Sequence, residues 1–186
     1  MLWSRREWMT VLAAAGAAWG RTGIGLDRIS VITDESAVSE ADSIRFAQHY
    51  GLKWLELRSI PKDGRGGGSY ATAPLKDVRA YARMLSDNGL GVSFFNTGLL
   101  KTWLPGTELH WRRNPSAEQK ARTESRGREE YERRLELLDM ALERADILQV
   151  KTLRVFAFLR PHTPEAEFPR IAEILAEMGE RARKAG

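Results

Sequence analysis

Several polar residues in this chain sit at or just beyond the ends of short aliphatic runs. That is the position from which a parallel sheet presents chemistry. They are Asp34 and Glu35, then Glu56 and Arg58, then Asn96, then Arg160 and His162. A carboxylate such as Glu56 can accept hydrogen bonds from ligand hydroxyls or take up a proton beside a carbonyl. Arg58 and Arg160 carry planar guanidinium forks suited to phosphate or carboxylate. Asn96 can bond a hydroxyl or cap its own loop. The chain has 3 histidines. His49 falls in a helical pattern and reads as a surface residue. His110 lies beside Trp111 in a long loop, and His162 follows Pro161. His110 and His162 can approach one rim, but no short ligand spacing links them, so neither is assigned to a metal.

The elements that position these residues alternate in type. Asp27–Thr33, Trp54–Arg58, Val92–Asn96 and Thr152–Phe158 are short and rich in β-branched, aliphatic or aromatic residues, and read as strands. Helical spacing covers Glu40–Tyr50, with Ser39 as cap and Gly51 as terminator, and Leu75–Asp87, ended by Asn88-Gly89. A long helix is expected from about Ala117 to Ile147, with Gly127 as a possible division, and a last one from about Pro164 to Lys184. Asp34, Glu35 and Ser36 read as a polar loop. Asp63–Gly68 reads as a flexible connector that lacks the Lys-Ser/Thr ending of a phosphate-binding loop. Four strand–helix units in succession predict parallel strands joined by right-handed crossovers.

Composition narrows the classes of function. The 186 residues are 42% hydrophobic and 29% charged, which argues for a folded domain. The net charge of +4 is dispersed, with no basic stripe or nucleic-acid reader motif, so no nucleic-acid partner is expected. Cysteine is absent, which excludes disulfides, thiolate metal sites and cysteine nucleophiles. The chain is short for a complete eight-stranded α/β barrel of about 250 residues.

The first residues read as an address. Arg5 and Arg6 follow Ser4, with Trp8 two positions on, and the apolar run Val11–Ala18 comes next. This resembles a twin-arginine export signal and implies a periplasmic protein with no stable membrane anchor. Residues 1–26 are therefore set apart as signal and linker. Cleavage after Ala17 or Ala18 would start the mature protein near Trp19. Secreted material beginning at Met1 would remove this reading.

Three stretches carry a family resemblance: Ile29–Glu35, the segment Gly51-Leu52-Lys53-Trp54-Leu55-Glu56-Leu57-Arg58, and Leu153–Phe156. In this order they resemble the xylose-isomerase-like TIM barrel superfamily of sugar phosphate isomerases and epimerases. The resemblance covers residues 27–186 and implies the amino-terminal half of a (β/α)8 barrel, four parallel βα units of a truncated barrel. It implies a sugar or sugar-acid substrate and proton transfer through an enediolate. A divalent metal (Mn, Mg, Zn or Co) would assist in the complete barrel. The metal ligands of the epimerase branch lie mostly on later strands, so none is carried onto a residue here, and no catalytic residue is assigned. Glu56, Arg58, Asn96, Arg160 and His162 are the substrate-binding candidates. The alternative is a non-catalytic carbohydrate-binding or degenerate half barrel that forms a homodimer or needs a complementary half. An endonuclease-IV-like role fits less well, because that branch uses histidine clusters at strand ends.

Barrel geometry adds one expectation. Leu55 and Leu57 should face the helices, and Glu56 and Arg58 the axis. In the fourth strand Leu153, Val155 and Ala157 should face helices and Arg154, Phe156 and Phe158 the axis. Glu56 and Arg154 should then pair, because an unpartnered buried charge is costly.

Overall fold

The computed structural model describes residues 24–62, 65–111 and 113–186. The twin-arginine segment and its expected cleavage point lie outside the described residues. Chain order is β1 (Ser30–Ile32), α1 (Thr33–Ser36), α2 (Glu40–Tyr50), β2 (Trp54–Leu57), β3 (Ser59–Lys62), β4 (Arg65–Ser69), α3 (Leu75–Asp87), β5 (Gly91–Phe95), α4 (Ala117–Glu132), α5 (Arg134–Ile147) and α6 (Pro164–Ala185). β1, β2 and β5 form a parallel sheet in that order, and β3 and β4 form a separate antiparallel hairpin. The protein is thus an α/β fold with a small parallel sheet. No barrel closes among the described residues. Nor is any helix among them long and apolar enough to cross a membrane.

Local chemistry explains the helix ends. Ser39 Oγ accepts from the Asp42 amide at 3.1 Å, and Gly51 terminates α2 at φ 67°, where a side chain would be strained. α4 opens on a reciprocal capping box between Ser116 and Gln119. The long helix divides at Arg133, with φ −90° and ψ 6°, and not at Gly127. Gly127 serves contact instead: a Cβ there would lie 2.9 Å from the Trp103 carbonyl oxygen. Thr33–Ser36, expected as strand end and loop, is one helical turn.

The glycine-rich run is also corrected. From Arg65 on it is strand β4 and not a loose connector. Gly67 lies so close to β3 that a Cβ would meet the Ile60 carbonyl oxygen at 2.9 Å, so only glycine fits.

Alternation along β2 behaves as expected. Leu55 and Leu57 are fully buried, in one core with Ile44 and Ala47 of α2, Val78 and Leu85 of α3 and Leu138 of α5. Tyr81 joins them, stacked on Tyr70 at 5.6 Å. On the other face of the sheet Trp54 and Ser30 are exposed, and Ile32, Glu56 and Phe94 are only partly buried.

The expected fourth strand is reduced to one parallel bridge, Phe95 to Leu153. Thr152 and Arg154 bond the Phe95 backbone, but the next amides do not continue a ladder. Phe156 N donates to Leu99 O at 2.9 Å and Leu159 N to Thr102 O at 2.8 Å. The segment therefore follows the loop after β5, and the sheet stops at three strands. Phe158, at φ 65°, is buried beside Tyr131 of α4, and Ala157 is exposed. Both reverse the alternation expected of a strand. α6 buries Ile171, Ile174 and Met178, while Phe168 is 58% exposed.

Candidate functional site

The sequence-derived candidates lie at or beyond the carboxyl ends of the strands, in three separate groups. The first is an ion-pair cluster. Arg58, just past β2, donates through Nε and Nη2 to Asp34 Oδ2 at 3.1 and 2.7 Å, and through Nη1 to Glu35 Oε1 at 2.6 Å. The Asp34 bond above all raises the Arg58 pKa. The Asp34 side chain is only 6% exposed, and the Ser59 amide donates to its other oxygen at 3.4 Å. The α1 turn explains the cluster, because it places consecutive Asp34 and Glu35 within reach of one guanidinium. That fork is filled by the chain's own carboxylates, so Arg58 holds the β1 and β2 ends together.

The second group centres on Glu56 and Asn96. The Asn96 amide continues the β5 ladder to Leu57 O at 2.7 Å, which fixes its backbone. Its side-chain Nδ2 donates to Glu56 Oε1 at 2.7 Å. Asn96 is 3% exposed, and its Oδ1 is buried with no partner among the described residues. Such an orphaned acceptor is unusual and calls for a water or a ligand donor. The expected Glu56–Arg154 pair does not form: Glu56 takes Asn96. The Arg154 guanidinium instead lies over the Phe156 ring at 4.3 Å, with Lys101 Nζ 5.2 Å from the same ring. Arg154 Nε is buried without a partner among the described residues. The bend of residues 154–156 toward Leu99 moves the guanidinium onto an aromatic face, where cation–π attraction replaces the missing carboxylate.

The third group joins two loops. Leu109 bridges Pro161 in antiparallel register, with His110 N donating to Arg160 O at 3.0 Å and His162 N to Glu108 O at 2.7 Å. This brings the His110 and His162 rings to 6.3 Å between centres. Both are exposed, as is Arg160, whose guanidinium pairs with no carboxylate among the described residues.

The chain matches no known family model and no curated protein.

The divalent metal implied by the barrel resemblance does not fit these residues. Among the described residues no three His, Asp or Glu side chains converge so as to hold an ion. Asp34 and Glu35 are spent on Arg58, and Glu56 stands with an amide. No catalytic step through such a metal is derived. Sequence reasoning missed the Arg154–Phe156–Lys101 stack. Lys101 lies far from Arg154 and Phe156 in the chain, and only the bend of residues 154–156 toward Leu99 gathers them. A cleft of about 970 Å³ lies at the opposite, amino-terminal end of the sheet, walled by Lys53, Trp54, Arg79 and Arg83.

Proposed function

We propose that the Glu56–Asn96 rim binds a polyhydroxylated, sugar-like ligand, and that the chain is a partial barrel of the isomerase and epimerase type exported to the periplasm. The observation that carries this reading is the Asn96 side chain, anchored by Glu56 through its donor and left with a buried acceptor that has no partner among the described residues. A carboxylate and an amide held at 2.7 Å offer the acceptors and donors that neighbouring hydroxyls need. The parallel strand order and the position of both residues at carboxyl strand ends support it, since α/β sheets bind ligands there. Arg160, exposed and paired with no carboxylate among the described residues, suits an anionic end of the ligand, such as a phosphate.

A second reading is favoured by the lack of a three-ligand metal group among the described residues. In it the rim binds carbohydrate without turning it over, and the uncovered sheet face around Trp54 and Phe94 is met by a second half.

The two readings separate in one experiment. The full chain is titrated with D-fructose while the Asn96 side-chain amide is followed by NMR. Binding shifts that signal, and Asn96→Ala or Glu56→Gln removes the response of the remaining rim signals. Shifts confined to other residues, or none, defeat the rim assignment. In D2O, deuterium incorporation next to the carbonyl supports isomerase chemistry. Binding without exchange supports the second reading.

A further inference from the structure

We propose that His110 and His162 form a two-imidazole site for a first-row transition cation of the Zn2+, Ni2+ or Cu2+ type. It clamps the loop after β5 to the segment that leads into α6. The site is separate from the Glu56–Asn96 rim and does not rest on the carbohydrate reading.

Register does the first part of the work. The Leu109–Pro161 bridge and its two flanking hydrogen bonds make a short antiparallel ribbon. Side chains alternate across such a ribbon, so Glu108, His110, Arg160 and His162 share one face and Leu109 and Pro161 share the other. The burial agrees: Pro161 is buried and Leu109 half-buried, whereas the other four are exposed. Glu108 lies directly opposite His162, and His110 opposite Arg160. The two histidines are therefore diagonal neighbours, a relation that long side chains can span.

Distance does the second part. A metal–nitrogen bond of about 2.0–2.1 Å places two imidazoles on one ion with ring centres roughly 5–6.4 Å apart. The lower figure is for tetrahedral and the upper for opposed ligands. The observed 6.3 Å falls at the wide end of that span. Both rings are exposed, so a small rotamer change reaches tetrahedral geometry without disturbing packing. The backbone beneath them is held. Trp103 Nε1 donates to Thr107 O at 2.9 Å, and Leu159 N to Thr102 O at 2.8 Å. Two anchored imidazoles act as a chelate, with the second ligand already at high effective concentration once the first has bound. Imidazole selects this class of cation over Mg2+ and Ca2+, which prefer oxygen. Glu108 lies on the attractive side of the balance and Arg160 on the repulsive side. Two ring ligands leave further coordination positions for water.

The test uses the untagged full chain titrated with ZnCl2 in a non-coordinating buffer, by calorimetry and by NMR of the histidine ring protons. One equivalent of zinc should shift the His110 and His162 ring signals together and leave His49 unmoved. His110→Asn and His162→Asn should each weaken zinc binding by about 100-fold, whereas His49→Asn should not. MgCl2 should give no response at the same concentration. The positions are exposed, so the variants should keep the parent's circular dichroism. Absence of zinc binding in the parent overturns the proposal. So does undiminished binding in either variant, or loss in only one of them.

Discussion

Asn96→Asp places an acceptor where Glu56 now receives a donor, so it tests the rim directly. The two groups are 2.7 Å apart, and Asn96 is 3% exposed, so the new carboxylate cannot turn out to water. Two full charges about 3 Å apart at an effective dielectric near 20 would repel by roughly 5 kcal/mol. The pair escapes most of this by keeping one proton between its oxygens. The penalty is then that of holding a proton above the ordinary carboxylate range, about 1.4 kcal/mol per pH unit above roughly pH 4. The variant should lose about 1.4 kcal/mol at pH 5 and about 5 kcal/mol at pH 7.5, where the loss reaches the repulsion itself. The sign follows from linkage. The shared proton binds more tightly in the folded than in the unfolded chain, so stability is kept at low pH and lost as pH rises. Asn96→Ala is the control, with a loss of about 1–3 kcal/mol that hardly depends on pH. Urea unfolding followed by circular dichroism, at both pH values, measures the difference. Equal losses for Asn96→Asp at pH 5 and pH 7.5 would refute the adjacency of Glu56 and Asn96.

Gly127→Ala tests the seat of Trp103 on α4. The new methyl would stand 2.9 Å from the Trp103 carbonyl oxygen and 3.0 Å from its ring, so overpacking of about 1–3 kcal/mol competes with about 1 kcal/mol of helix propensity. A lower melting temperature with a shifted tryptophan emission is expected, and a higher one would contradict the contact. Glu40→Gln tests the polar link between α2 and the turn at Tyr70. Burial raises the Glu40 pKa, the Tyr70 hydrogen bond at 2.9 Å offsets part of this, and Asp77 adds to it. A raised acid weakens the fold as pH climbs through its titration, so the variant should gain on the parent between pH 4 and pH 8 and match it at the low end. A constant gap in unfolding midpoint across that range would count against it.

The buried polar network around Tyr81 belongs to the same region. Its hydroxyl lies 2.7 Å from Ser43 Oγ, and burial pushes its pKa up to about 12. Arg144 of α5 is 5% exposed and donates Nε to the Ala73 carbonyl at 2.9 Å, tying the turn before α3 to the helix layer. Neither was legible in the sequence. The Arg144 charge is made tolerable by the distant Ala73 carbonyl together with the Met140 carbonyl at 2.8 Å and the Glu143 carboxylate at 3.4 Å, and the first of these comes only from the tertiary fold.

The sequence alone determined what depends on neighbours a few residues apart. Periodicity and capping set α2 and α3 residue for residue, and strict alternation in Trp54–Leu57 set which side of β2 is core and which carries Glu56. What tertiary structure decided is where each backbone amide finds its acceptor once the chain has returned. Thr152–Phe158 has the composition of a strand, yet its amides reach Leu99 and Thr102, because the loop after β5 lies alongside it. That choice turned Arg154 from Glu56 onto Phe156 and left Asn96 as the partner of Glu56. It also set two histidines, 52 positions apart in the chain, ring beside ring. Side-chain direction is local and periodic, but strand pairing across long separations is settled by which carbonyls the fold leaves open.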